Sequence, residues 1–245
     1  MIRIGQPAPD FTAPVYHNGG FSQASLSSYR GKWVVLFFYP GDFTFVCATE
    51  VSAAAENQEA FETLGVEVLT VSVDSPFVHK AWMEQELHKM ATPKVRFPMA
   101  SDVSGKIGTL YGVYDDEQYL DHRGCFIIDP DGVVQSVLIN NPSVGRSYEE
   151  LFRLLTGLIH VRKNNNEALP CDWMPGDKVL VDDPGYSNLY FALRFMGAEL
   201  LGVQHGSLVT LQLRLPQTQA SAFVQRVNDL GQGRVGWPDQ LTGGS

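Results

Sequence analysis

The chain has 245 residues, 44% of them hydrophobic, and a formal net charge of −9 at pH 7. That is enough apolar sequence for one good core with an appended segment. The acidic balance, with no basic run longer than Arg162-Lys163, argues against nucleic acid or an anionic membrane as partner. No apolar stretch reaches bilayer-spanning length, and residues 1–7 lack the apolar core of a signal peptide, so a cytoplasmic location is expected. In such a reducing compartment Cys47, Cys125 and Cys171 are chemical or free thiols sooner than a disulfide framework.

Strand and helix patterns alternate over residues 1–160, the signature of an α/β fold around a largely buried sheet flanked by helices. Residues 33–39 (Trp33 to Tyr39) form a β-rich apolar run that Pro40 and Gly41 stop. An Ala-rich helix is predicted from Ala48 to Leu64, closed by Gly65. Val66 to Val73 reads as a central strand, and Pro76 to Met90 as a helix with Ser75 as N-cap and Pro76 in the first helical position. Gly124 to Asp129 and Val133 to Ile139 read as a hairpin turned by Asp129-Pro130-Asp131-Gly132. A long amphipathic helix then runs to about Arg162, its start marked by Ser147 and Glu150 at capping-box spacing. Lys163 to Glu167 is a polar break, so the chain divides into residues 1–160, an arm at 161–180 and an extension at 181–245.

Cys47 lies just after the first apolar strand and at the start of a predicted helix. Unpaired backbone N–H groups and the positive end of the helix dipole favour a thiolate there. The stretch Pro40-Gly41-Asp42-Phe43-Thr44-Phe45-Val46-Cys47, a PxxxTxxC motif, resembles the active-site motif of the peroxiredoxins, thiol peroxidases of thioredoxin-like fold. Glu50 agrees, as do Arg123 in His122-Arg123-Gly124-Cys125-Phe126-Ile127-Ile128-Asp129, the stretch Val73-Asp74-Ser75 through His79 and Trp82, and Asp172 to Asp177. The resemblance spans about residues 1–180.

The resemblance implies that Cys47 attacks the O–O bond of hydrogen peroxide or a small alkyl hydroperoxide and becomes sulfenic acid. An unshifted thiol of pKa about 8.5 is roughly 3% ionised at pH 7, so full ionisation adds only about 30-fold, or about 2 kcal/mol. Efficient enzymes lower barriers by at least about 8 kcal/mol, so the remainder must come from groups that polarise the peroxide. Arg123 suits this with its fixed donors, the Thr44 hydroxyl could orient the peroxide, and Pro40 would shape the loop. Glu50, placed in the first helical turn, suits the dipole there or else orients an arginine. His79 and Trp82, at i, i+3 spacing, read as structural. No cofactor beyond cysteine is implied, and no metal-ligand spacing or phosphate loop is present.

Many relatives carry a resolving cysteine in a Cys-Pro-Ala-x-Trp arm. Here the segment is Leu169-Pro170-Cys171-Asp172-Trp173, with the cysteine two residues late. Cys171 is thus the candidate resolving thiol, across a dimer interface, and a one-cysteine cycle completed by an outside thiol is the alternative. Cys125 reads as core packing. The Gly-Gly-Leu-Gly motif of easily over-oxidised relatives is absent around Lys89 to Pro98, while Tyr190-Phe191 matches their C-terminal pair in spacing; a relatively robust enzyme is expected. The partners implied are a peroxide, a thioredoxin-type or other thiol reductant, and further copies of the chain as homodimers or rings of dimers.

A disulfide reductase is disfavoured, because Thr44 stands where a Cys-x-x-Cys motif needs its first cysteine; a peroxide-sensing relay or chaperone is the rival from another class. The extension, through Val181 to Tyr186 and Phe195 to Leu200, resembles a fragment of a pyridoxal-phosphate-dependent aminotransferase, yet no lysine follows Lys178 to form a Schiff base. It reads better as a relic, a divergent arm or an oligomer contact, with a disordered Gly243-Gly244-Ser245 end.

Overall fold

The computed structural model describes residues 2–92, 94–165, 167–181, 199–204, 210–215, 218 and 220–231. Seven strands form one sheet in the order β2-β1-β5-β4-β3-β8-β9. The first five are β1 (Thr12–His17), β2 (Gly20–Ser25), β3 (Trp33–Phe38), β4 (Val66–Ser72) and β5 (Met99–Ser101). After a short ribbon of β6 (Tyr114–Asp115) and β7 (Leu120–Asp121) come β8 (Arg123–Ile128) and β9 (Val134–Asn140). Strands β3, β4 and β5 are parallel, whereas β8 and β9 continue the sheet antiparallel.

All six residues of β3 are buried, because both faces of the sheet are covered. Trp33, Val35 and Phe37 point to one side, where they meet α1 (Phe45–Glu56), α2 (Gln58–Thr63), α3 (Pro76–Trp82) and α6 (Tyr148–Lys163). Val34, Leu36 and Phe38 point to the other, against α5 (Lys106–Tyr111) and the N-terminal segment. The result is an α/β layer with a central sheet flanked by helices, as expected from the alternating patterns.

Three local differences from the sequence reading have identifiable causes. The helix after β3 starts at Phe45, not Ala48, and divides at Asn57, whose Nδ2 donates back to the Ala53 carbonyl at 2.8 Å. The helix from Pro76 passes through a π-helical turn at Met83–Leu87 before α4 (His88–Met90), and the Trp82 indole N–H bonds Glu86 Oε2 at 2.6 Å across that turn. At α6, Ser147 accepts the Glu150 N–H at 3.3 Å, but the Glu150 carboxylate turns to Arg153, so only half of the capping box forms.

The contacts divide the chain into two compact units, Met1–Asn165 with Leu169–Lys178, and Asn166–Ala168 with Val179–Ser245. In the second, the described residues form the pair β10 (Glu167–Ala168) and β11 (Leu180–Val181), the hairpin β12 (Glu199–Gln204) and β13 (Thr210–Arg214), and α7 (Ala220–Gly231). Tyr190-Phe191, Asp182 to Tyr186, Phe195 to Ala198 and Gly243 to Ser245 lie outside the described residues. Among the described residues no helix is long and apolar enough to cross a membrane.

Candidate active site

Strand β3, interior to the sheet, delivers the chain to Tyr39 and Pro40 at its carboxyl end, and α1 carries it back over the apolar face. Cys47 is the third residue of α1 and fully enclosed, at 0% exposure. The N–H groups of this first turn lack an i−4 carbonyl, so the helix turns its positive end toward the thiol. The only helical partner made by Thr44 is its carbonyl, which accepts the Ala48 N–H at 3.0 Å. Its exposed hydroxyl does not cap the helix; it donates to the Gly41 carbonyl at 2.9 Å and ties the loop to itself. Pro40 is half-buried in the same loop.

Arg123, the first residue of β8, comes in from the neighbouring strand with only 3% exposure. Its Nη1 donates to Cys47 Sγ at 3.4 Å and to Glu50 Oε2 at 2.6 Å, and its Nε donates to the Pro142 carbonyl at 2.7 Å. Glu50 sits in the second turn of α1, one turn beyond its expected place, because the helix begins three residues early. At 3% exposure it orients arginines and plays no part at the helix end.

Arg146, which sequence reasoning missed, is the second of those arginines. Its Nε and Nη2 grip Glu50 at 2.9 and 2.8 Å, and its backbone N–H adds a third bond at 2.8 Å. Its Nη1 donates to the Phe38 and Gly124 carbonyls at 2.8 and 2.7 Å, and the guanidinium lies over the Phe37 ring at 3.3 Å. Nothing in the spacing marks this residue, since it belongs to an irregular segment between β9 and α6. Two cations share one carboxylate, so the buried cluster carries one formal positive charge beside Cys47 Sγ.

Neither of the other cysteines is hydrogen-bonded to this cluster, although Arg146 and Glu50 lie within electrostatic reach of Cys125. Cys125 lies on β8 at 5% exposure within the apolar core, and burial pushes its thiol up to about 11. Cys171 is exposed, on an arm anchored by the buried Trp173, whose ring meets His160 of α6 at 5.6 Å. All three are free thiols. Among the described residues no group of three or more His, Cys, Asp or Glu is placed to hold a metal.

Residues 4–137 match the model of the AhpC/TSA family, and residues 157–185 that of the C-terminal domain of 1-Cys peroxiredoxin. Residues 192–234 match a domain of unknown function, DUF1949. The chain is 50% identical over 192 residues to a selenocysteine-containing peroxiredoxin of Peptoclostridium acidaminophilum, covering 78% of this chain and 95% of that one. It is 43% identical over 190 residues to the chloroplastic 2-Cys peroxiredoxin BAS1 of Arabidopsis thaliana, covering 77% and 71%. The reduced 2-Cys peroxiredoxin of Plasmodium vivax superposes with a TM-score of 0.71 at 32% identity, over 77% of this chain and 98% of that one.

Proposed function

The chain belongs to the AhpC/TSA family and is a thiol-dependent peroxidase; from that premise we propose that Cys47 is the peroxidatic thiol and Arg123 its catalytic partner. The observation that carries this reading is the Arg123 guanidinium 3.4 Å from an enclosed Cys47 Sγ and locked by Glu50. Sγ attacks the terminal oxygen of the peroxide, an S–O bond forms and the O–O bond breaks. The electron pair leaves on the departing oxygen, which takes a proton to become water or an alcohol, and the sulfur is left as sulfenic acid. The excess positive charge of the arginine pair stabilises the charge moving onto that oxygen, in a site that excludes water. Thr44, its hydroxyl proton committed to Gly41, retains lone pairs that can accept from the peroxide O–H. Pro40 keeps the loop in shape, and Glu50 and Arg146 position Arg123.

Cys171 then attacks the sulfenic sulfur, forming a disulfide and releasing water, with the two thiols on different copies of the chain in a homodimer or ring of dimers. Its exposure supports this step, and a thioredoxin-type reductant in the cytoplasm would reopen the bond. A one-cysteine cycle is the second reading, favoured by the match of residues 157–185 to the 1-Cys arm. Residues 1–160 would then be the catalytic domain, 161–180 its arm and 181–245 an appendage dispensable for the first step.

The test is intact mass after one equivalent of hydrogen peroxide, on wild type and Cys171→Ser. A Cys47–Cys171 disulfide lost in the variant establishes the two-cysteine cycle. Sulfenic acid at Cys47 without any protein disulfide establishes the one-cysteine cycle. An unreactive Cys47 overturns the assignment.

A further inference from the structure

Cys47 has no route to another thiol while it is enclosed, so whatever holds the Gly41–Thr44 loop closed sets both steps of the cycle. The loop is fastened at Asp42, whose side chain is 0% exposed. One carboxylate oxygen, Oδ1, accepts from the Tyr39 hydroxyl at 2.7 Å, and the other, Oδ2, lies 2.8 Å from Nδ1 of His79 on α3. The His79 ring is itself 0% exposed, and its Nε2 faces the Ala100 carbonyl of β5 at 3.3 Å. A carbonyl cannot donate, so Nε2 carries a proton, and one further proton is shared between Nδ1 and Oδ2. The backbone N–H of Asp42 donates to Asp74 Oδ2 at 2.8 Å, and Ser72 donates to the same oxygen at 2.9 Å. Tyr39 just after β3, Asp74 in the loop after β4 and His79 on α3 therefore bond one loop residue, with Ser72 and the Ala100 carbonyl bonding its partners in turn.

The next residue shows what this anchoring opposes. Phe43 has φ +56°, in the left-handed region that a bulky side chain avoids. Freed from Asp42, the backbone would relax toward negative φ and carry Thr44 and the start of α1 with it. Burial raises the Asp42 carboxyl above its ordinary value, against the His79 and Tyr39 hydrogen bonds that pull it down. The carboxylate is thus held in place by its partners, in surroundings that disfavour it.

We propose that Asp42 and His79 form a buried latch that closes the Cys47 loop against the strain at Phe43, making both positioning residues for peroxide attack and for release of Cys47 to its second thiol. This rests on the reading of Cys47 as the reacting thiol. The latch is tested by alkylating the reduced full-length chain with iodoacetamide and following Cys47 and Cys125 separately by peptide mass spectrometry. Cys125 lies in the same core cluster and reports general loosening.

With His79→Gln, whose amide reaches toward Ala100 and leaves Asp42 Oδ2 without its partner, labelling of Cys47 should rise about tenfold with Cys125 unchanged, while sulfenic acid forms about tenfold more slowly. His79→Asn, which places an amide near Nδ1, should recover most of both effects. Tyr39→Phe removes one oxygen from the core and will fold; it should shift Cys47 labelling the same way by a few-fold. Cys47 and Cys125 rising together, or Cys47 labelling unmoved in His79→Gln and Tyr39→Phe, overturns the latch. A wild-type Cys47 that does not react with peroxide overturns the assignment of the site instead, and the labelling comparison still judges the latch.

Discussion

Cys47 and Cys125 share one core cluster and near-complete burial, at 0% and 5% exposure, yet they face different chemistry. Cys47 occupies a helix start and has a guanidinium at 3.4 Å. Cys125 sits mid-strand, where burial raises its thiol to about 11 and the nearby Arg146 and Glu50 pull in opposite directions. Burial by itself makes a cysteine inert; the helix end and the aimed cation make the difference.

Breaking the comparison outright means exchanging the sulfurs. Cys47→Ser is expected to cut peroxide consumption by at least about 1000-fold, since the nucleophile is gone. Cys125→Ala should leave it within about threefold and cost roughly 1 kcal/mol of stability. Peroxide consumption assays and urea denaturation check both. Equal losses from the two variants would erase the distinction.

Removing the cation alone comes next. Arg123→Gln should slow sulfenic acid formation by about 100- to 1000-fold, the usual effect of deleting one aimed donor. Stopped-flow measurement of the first turnover reads this directly. Glu50→Gln tests the support beneath. It leaves Arg123 and Arg146 with no carboxylate between them, and a buried pair broken on one side costs about 3–5 kcal/mol. Denaturation midpoints should fall accordingly, with slower peroxide attack in the variant that still folds.

The smallest effect concerns another buried acid. Asp121 is 0% exposed, and neither carboxylate oxygen has a hydrogen-bond partner among the described residues. Burial, with Asp102 nearby, pushes its carboxyl up to about 8. The unfolded chain ionises this group near pH 4, so the native state holds an extra proton between about pH 4 and pH 8. Stability therefore falls as pH rises through that window and levels off above it. A decline of roughly 1–3 kcal/mol from pH 6 to pH 9 is expected, flattened in Asp121→Asn. Parallel curves for wild type and variant would show that Asp121 does not titrate in this way.

Much of the fold was legible in the chain. The apolar run at Trp33 to Phe38 needed no tertiary information, because six consecutive buried residues leave no polar face to misread. Ser75, Pro76 and the Asp129–Gly132 turn signalled their elements through local hydrogen bonding and backbone preference alone. Helix ends and breaks were harder: Asn57 divides a helix through a side-chain bond that competes with the ladder, which periodicity does not register.

The site divided along the same line. Cys47, Thr44 and Pro40 could be named as candidates from the chain because the strand–loop–helix that carries them is continuous in sequence. Arg123 was visible through its motif, although its distance to the thiol was not. Arg146 and the Asp42–His79 pair were not read as parts of the site, since Arg146 meets Glu50 across 96 residues and His79 meets Asp42 across 37. The sequence by itself determined the candidate thiol, its place by a helix and the alternating layers, all of which follow from neighbours along the chain. Only the tertiary structure decided which charges surround that thiol, because a buried cation or carboxylate is tolerated solely where distant segments bring it a partner.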